Sequence, residues 1–160
     1  MSIAGTAFPT LSERDITMIE KLSGYAPMAL AALRIVSGLL FFESGMQKLF
    51  GFPAPPFEVP MDGLIFTAGI LEFVGGALLL VGFLTRPAAF ILSGMMAVGY
   101  WMAHAPQSFF PASNMGTGAV LFCFVFLYIF FAGPGAWSLD TRLPVPWRER
   151  NPAGSVRQQA

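Results

Sequence analysis

Residues 63–84 read GLIFTAGILEFVGGALLLVGFL, a run of 22 residues that is apolar almost throughout. Its only charged residue is Glu72, near the middle. A helix of about 20 apolar residues is long enough to cross the hydrocarbon core of a bilayer. An ionisable side chain at that depth is costly unless it is paired or functional. The stretch therefore predicts a transmembrane helix whose carboxyl group needs a partner.

The composition of the whole chain is typical of a membrane protein. Of 160 residues, 55% are hydrophobic and only 11% are charged, which leaves little polar sequence to cover a soluble domain. Four apolar runs are long enough to span a bilayer, at residues 28–50, 63–84, 87–103 and 115–132. The second and third are joined by a turn too short for anything but an antiparallel pair. We therefore predict an all-α fold, an integral membrane antiparallel four-helix bundle.

The charges outside the four runs predict how the chain is oriented. Loops 51–62 and 104–114 contain no Lys or Arg, whereas basic residues flank the other ends of the runs. Because cytoplasmic loops carry the excess of Lys and Arg, we expect a cytoplasmic N-terminal segment, 1–27, and a cytoplasmic C-terminal tail, 133–160. Between them lies the four-helix domain, 28–132. The net charge is zero, so nothing indicates nucleic-acid binding.

Arg34 is the expected partner of Glu72. Counted along ideal helices, Arg34 lies roughly 9 Å and Glu72 roughly 13 Å from opposite ends of their runs. In a core of about 30 Å their depths differ by about 8 Å, which the Arg side chain can bridge. We therefore predict a buried ion pair, either a structural link between helices or part of a path for protons or a ligand.

A second polar set is expected at the outer end of the bundle. Its members, predicted to border a ligand-binding pocket, are Glu43, Gln47, Lys48, His104 and Asn114. Carboxylate, amide, imidazole and ammonium groups around an apolar cleft can hydrogen-bond the carbonyl oxygens of a quinone, and the same groups can bind a lipid head group. No catalytic residue can be assigned from these groups.

Motifs for other chemistry are absent from the sequence. Cys123 is the only cysteine, which excludes an internal disulfide and a cysteine-based metal cluster. One His and scattered Met residues do not indicate haem, and no metal site is expected. No covalently bound cofactor is expected either, so quinone is the one small-molecule cofactor considered.

Five stretches of this chain resemble the DoxX family of membrane proteins. They are 33–38 (LRIVSG), 45–51 (GMQKLFG), 68–76 (AGILEFVGG), 80–86 (LVGFLTR) and 133–140, which begins with GPG and ends with SLD. They follow the order of the family pattern. The resemblance implies a four-helix membrane bundle, which we expect in a bacterial inner or plasma membrane with both termini cytoplasmic.

The resemblance also marks Arg34, Lys48, Glu72 and Asp140 as polar positions of the family pattern. Some relatives are subunits of quinone-reducing oxidoreductases, and others are linked to thiol or oxidative stress. The sequence departs from the pattern at Glu43, where the family often has His or another residue. It also lacks the Glu that the family often places near the start of the last helix.

Two functions remain open from the sequence. The first, which the resemblance implies, is a membrane subunit of an oxidoreductase system that binds quinone while a protein partner supplies the redox centres. The alternative is a non-catalytic membrane protein that assembles or stabilises a larger membrane complex. A small carrier or proton path through Arg34 and Glu72 ranks last, because four helices leave little room for an aqueous route in a monomer. Membrane lipids are expected partners in each case, and a homo-oligomer is compatible with all three.

Overall fold

The computed structural model describes residues 13–55 and 62–143. Within these ranges the chain forms helices and no strand, which confirms the all-α prediction. The helices are α1 (Glu13–Gly24), α2 (Ala26–Phe50), α3 (Gly63–Val81), α4 (Thr85–Gly99), a π-helical turn (Tyr100–His104) and α5 (Thr117–Ala132). Helices α2 to α5 form the antiparallel four-helix bundle. Helix α1 falls in the N-terminal segment, for which the sequence analysis predicted no helix.

Two helical stretches are long and apolar enough to cross a membrane, Thr17–Phe50 and Gly63–Val81. Helix α5 is apolar but has only 16 residues. Helix α4 has 15 residues and continues into the five-residue π-helical turn. We call the end of the bundle near Gly82 and Gly133 the inner end and the opposite end the outer end.

The α3–α4 hairpin forms as predicted, but α3 ends three residues before the end of its apolar run. Gly82 takes a left-handed conformation with φ 68°, and its N–H bonds to the carbonyl groups of Leu78 and Leu79. Glycine adopts this conformation without strain and commonly ends helices. At the other end of α3, the Asp62 carboxylate accepts a hydrogen bond from the Ile65 N–H at 2.8 Å, as an N-cap does.

Glycines set how closely α2 and α3 approach each other. A Cβ atom added to Gly45 would lie 2.3 Å from the backbone nitrogen of Phe73, and one added to Gly76 would lie 2.4 Å from that of Phe42. The two backbones are therefore in direct contact, as small residues permit between membrane helices. This contact fixes the relative height of every side chain on the two helices.

Aromatic packing connects α2 to α5 and closes the bundle. Phe41 is buried and packs edge-on against Phe126, with ring centroids 4.6 Å apart, and against Phe122 at 5.0 Å. Leu92 and Ile129 complete the buried core beside them.

The segment after α5 folds back across the inner end. The Ala136 N–H donates to the Pro27 carbonyl at 3.0 Å, and the Asp140 N–H donates to the Gly82 carbonyl at 2.9 Å. The C-terminal segment predicted as a tail from residue 133 therefore begins as a packed part of the bundle. Residues 144–160 lie outside the described residues, as do residues 1–12 before α1. The cytoplasmic location of both termini stays a prediction.

Candidate functional site

Glu72 has a partner inside the bundle, as predicted, but the partner is Lys48. The Lys48 Nζ atom lies 2.5 Å from Glu72 Oε2 and donates a second hydrogen bond to Ser44 Oγ at 2.8 Å. The Glu72 side chain is only 7% exposed, whereas that of Lys48 is 26% exposed. Gly69 makes room for the Lys48 stem, because a Cβ there would lie 3.1 Å from the Lys48 Cβ. The pair is therefore buried at the Glu72 side chain and partly exposed along the Lys48 side chain.

The predicted ion pair between Arg34 and Glu72 is wrong. The glycine contacts place Gly38 beside Leu80 and Gly45 beside Phe73, so Arg34 lies level with the inner end of α3. At 1.5 Å per residue this puts Arg34 roughly 18 Å along the axis from the level of Glu72. The prediction aligned the ends of the apolar runs, whereas the glycine contacts set the actual offset.

Arg34 is fully buried and binds backbone carbonyl groups instead. Its acceptors are the carbonyl oxygens of Leu79, Leu80 (3.2 Å), Pro134 (2.8 Å), Ala136 (3.3 Å) and Trp137 (3.0 Å). The first two are at the C-terminus of α3, where helical carbonyl groups lack intrahelical donors. A positive charge there is also favoured by the helix dipole. Arg34 thus joins α2, α3 and the C-terminal segment.

Two further charges at the inner end act on helix ends. The Asp140 carboxylate accepts hydrogen bonds from the N–H groups of Leu84 and Thr85, both at 2.9 Å, and so caps the start of α4. Arg86 donates to the Phe130 carbonyl at 2.7 Å and to the Phe131 carbonyl at 3.1 Å, at the end of α5. Arg34 and Asp140 are thus structural, which leaves Lys48 and Glu72 as the candidate functional pair.

An apolar cleft of about 420 Å³ lies between the outer halves of α3 and α4, and Lys48 is its only charged lining residue among those described. Its walls include Ala68 and Leu71 from α3, and Met95 and Val98 from α4. A volume of this size is within the range of small-molecule sites, which are mostly apolar with a few polar groups.

Glycines keep the α4 wall of the cleft open. Gly94 and Gly99 both line it, and a Cβ at either would meet no atom within 4 Å. Glycine within a helix costs about 1 kcal/mol relative to alanine. Gly45 and Gly76 allow close backbone contact between α2 and α3, whereas Gly94 and Gly99 face unfilled space in the cleft. Their lack of side chains leaves the cleft open on its α4 side.

Of the five residues predicted to form the outer pocket, only Lys48 lines this cleft. Glu43 is exposed on the surface of α2. The Gln47 Nε2 donates to the Pro53 carbonyl at 3.2 Å, in the loop after α2. The structure therefore does not bring the five residues together around one pocket.

His104 and Asn114 instead belong to the loop between α4 and α5. His104 Nδ1 lies 2.9 Å from the Asn114 carbonyl oxygen, which requires Nδ1 to donate. Asn114 is buried and its Nδ2 donates to the Ser108 carbonyl at 2.7 Å, while its Oδ1 accepts from the Gly116 N–H at 2.8 Å. These hydrogen bonds satisfy polar groups of the loop backbone. They account for the presence of His104 and Asn114 at these positions without a ligand.

Sequence reasoning missed the cleft itself and the role of Ser44 beside Lys48. The available signals were the two glycines on α4 and the four-residue spacing from Ser44 to Lys48, which places both side chains on one helix face. Within residues 13–55 and 62–143, no three His, Cys, Asp or Glu side chains gather as a metal site would require. Cys123 has a free, partly buried thiol, and its backbone carbonyl accepts a hydrogen bond from the Ser93 hydroxyl.

Comparison with known proteins gives a family and several relatives. The DoxX family model matches residues 29–105. An uncharacterized protein of Haemophilus influenzae is 38% identical over 135 residues, covering 78% of this chain and 97% of that protein. The uncharacterized membrane protein Rv3486 of Mycobacterium tuberculosis is 30% identical, covering 89% and 94%. The inner membrane protein YqjF of Escherichia coli is 30% identical, covering 71% and 91%. No solved structure matches the chain.

Proposed function

Since this chain belongs to the DoxX family of membrane proteins, we propose that it is the quinone-binding membrane subunit of an oxidoreductase whose redox centres belong to a partner protein. The observation that carries the proposal is the apolar cleft with the partly exposed Lys48 side chain in its lining. The chain holds the quinone, and the partner delivers the electrons.

The shape and chemistry of the cleft suit a quinone ring. Its apolar walls of Leu71, Met95 and Met102 can cover the ring faces. A Lys ammonium has three N–H donors, and Glu72 and Ser44 occupy two of them. The third is available to a quinone carbonyl oxygen at the edge of the cleft. Glu72 keeps Lys48 in position, so that the donor is already oriented before the quinone binds.

A second apolar depression extends the cleft along α3 and α4. Its volume is about 160 Å³, and it shares Leu71 and Ile91 with the main cleft. It reaches Leu78 on α3 and Ala88 on α4, toward the inner end. An isoprenoid tail fits such a groove, since it is long, flexible and apolar. A quinone dissolved among the membrane lipids can then enter sideways between the two helices.

Filling the cleft should prevent binding. We expect Gly94→Leu to lower the affinity for ubiquinone and menaquinone by at least about tenfold, which corresponds to 1.4 kcal/mol, because the new side chain occupies the space of the ring. The added Cβ meets no protein atom, so the fold should be retained. The measurement is titration of each quinone into protein in lipid nanodiscs.

Gly118→Leu is the matched control for this experiment. Gly118 lies on α5, away from the cleft, and a Cβ there also meets no atom within 4 Å. Both variants replace a helical glycine with the same apolar residue, so general effects on the helix or membrane are shared. The proposal fails if the wild type binds neither quinone, or if the two variants bind as well as each other. In the first case the alternative role in assembling a membrane complex becomes the better account.

A further inference from the structure

Helices α1 and α2 run on through Tyr25 as one helical stretch, Thr17–Phe50, of 34 residues. Tyr25 itself keeps right-handed helical backbone angles, φ −88° and ψ −8°. At 1.5 Å per residue the stretch is about 51 Å long. The stretch is therefore much longer than α3, and only its outer part packs beside α3.

Every side chain from residue 17 to residue 29 is exposed, and an apolar stripe can be traced along this helix by its spacing. In the inner half its members are Met18, Leu22, Tyr25, Ala29 and Ala32, all exposed. They are spaced alternately by four and three residues, which is the heptad spacing of the contact positions in coiled coils. The inner half thus presents a continuous apolar seam with no partner among the described residues.

The same spacing continues without a break to the outer end of α2. Its members there are Val36, Leu39, Glu43, Met46 and Phe50, of which Met46 is half-buried and the others are exposed. Glu43 is the only charged member of the whole stripe. The ten positions from Met18 to Phe50 therefore share one register over about four and a half heptads. We call these ten residues the heptad stripe.

The opposite face of the helix packs within the chain's own bundle. Arg34, Phe41 and Lys48 recur every seven residues there, and they contact α3, α5 and the C-terminal segment. In the heptad these positions lie diametrically opposite the contact positions. Most of the heptad stripe therefore points away from the bundle, whereas Phe50 at its outer end packs edge-on against Phe73 of α3, with ring centroids 5.6 Å apart.

Lipid accounts for only part of the heptad stripe. Gly38 lies beside Leu80 near the inner end of α3, so residues 18–25 lie roughly 20 to 30 Å beyond that level along the helix axis. Arg14, Glu20 and Lys21 are exposed on this part of the helix, which is typical of an aqueous environment. A row of exposed large apolar side chains in water favours a protein interface.

Glu43 gives a second, independent argument for a partner. It lies between the levels of Gly38 and Gly45, which contact α3, and so falls well inside the membrane-spanning part. It is exposed and makes no hydrogen bond or ion pair with any described residue. A carboxyl group facing lipid at that depth is costly, and a single polar residue at a contact position fixes register and oligomeric state in coiled coils.

We infer that the heptad stripe is the interface of a parallel homodimer whose twofold axis runs along the membrane normal. Two copies inserted in the same direction place one Glu43 opposite the other, so that each side chain faces a polar group across the axis instead of lipid. Contact and flanking heptad positions supply about 20 side chains from each copy, close to the 20 to 30 per side of a stable interface.

Disulfide cross-linking in native membranes tests this interface. In a Cys123→Ser background, single cysteines at stripe positions (Leu22→Cys, Tyr25→Cys, Val36→Cys and Leu39→Cys) should each give a product of two copies. Ser23→Cys lies one position off the stripe and should give little. Val74→Cys is the matched control on α3, because Val74 and Leu39 are both 49% exposed.

Substitutions at Glu43 that keep or remove its hydrogen-bonding group give a second test of the interface. Glu43→Gln keeps a group that can hydrogen-bond across the axis, so cross-linking through Leu39→Cys should persist, whereas Glu43→Leu should reduce it several-fold. The inference is overturned if the stripe positions do not cross-link, if Val74→Cys cross-links equally, or if the products contain only a different protein. Cross-linking at Val36→Cys and Leu39→Cys without Leu22→Cys and Tyr25→Cys would overturn the continuation into α1 and indicate that α1 lies on the membrane surface.

Discussion

Arg34→Met is expected to abolish stable folding of the bundle. The substitution keeps an apolar stem but removes the donors to five backbone carbonyl groups, at the end of α3 and in the C-terminal segment. Each buried acceptor left without a donor costs about 1 to 3 kcal/mol. The Leu79 carbonyl keeps the Gly82 N–H as a donor and the other four bonds are partly buried, so the summed loss is several kcal/mol, a large share of the stability of a typical domain, about 5 to 15 kcal/mol. The measurement is the fraction of folded protein recovered in mild detergent, with its thermal unfolding.

Two further variants show whether the loss comes from these contacts. Arg34→Lys keeps the charge but lacks the planar fork of donors, so it should be intermediate. Arg86→Met removes donors to only two carbonyl groups at a half-buried position, and it should be the mildest of the three. If Arg34→Met unfolds at the same temperature as the wild type, the structural role assigned to Arg34 is wrong.

Gly45→Val should separate α2 from α3. A Cβ at Gly45 would lie 2.3 Å from the Phe73 backbone nitrogen and 2.6 Å from its Cα, and no side-chain rotation can relieve a contact with backbone. Overpacking a core usually costs about 1 to 3 kcal/mol and occasionally more. We expect the upper end of this range or beyond, together with a large loss of quinone affinity, because Lys48 and Glu72 are held by the same helix contact.

The control for this prediction is Gly94→Val. It places the same side chain in a membrane helix, but where nothing lies within 4 Å of the added Cβ. Its unfolding free energy should match that of the wild type or exceed it slightly, since valine forms helix better than glycine. Equal destabilisation by the two substitutions would contradict the close α2–α3 contact.

Much of the fold could be predicted because hydrophobicity and length report directly on membrane helices. The four apolar runs correspond to α2, α3, α4 with its π-helical turn, and α5, and the short connection at Pro87 correctly gave a hairpin. Helix α1 was missed because its charged residues interrupt the apolar pattern. The packed C-terminal segment was missed because its hydrogen bonds go to backbone groups of distant helices, which leave no trace in local sequence.

The candidate site was only partly predictable, because it depends on the axial position of α2 relative to α3. The cost of a buried carboxyl group correctly required a basic partner for Glu72, but the choice between Arg34 and Lys48 depends on how far α2 slides along α3. Backbone contacts at Gly38, Gly45 and Gly76 set that offset, and sequence identifies the packing face without giving the axial position. The cleft was not predicted, since it arises where α3 and α4 do not pack, and only Gly94 and Gly99 hint at it.

Photoaffinity labelling with a photoreactive quinone analogue shows whether the α3–α4 cleft binds quinone. In native membranes, we predict label on the cleft walls, at Leu71, Met95 or Met102, that excess ubiquinone removes and that Gly94→Leu prevents. Label confined to the loop with His104 and Asn114, or spread over all exposed faces without competition by ubiquinone, would contradict the assignment of the α3–α4 cleft as the binding site.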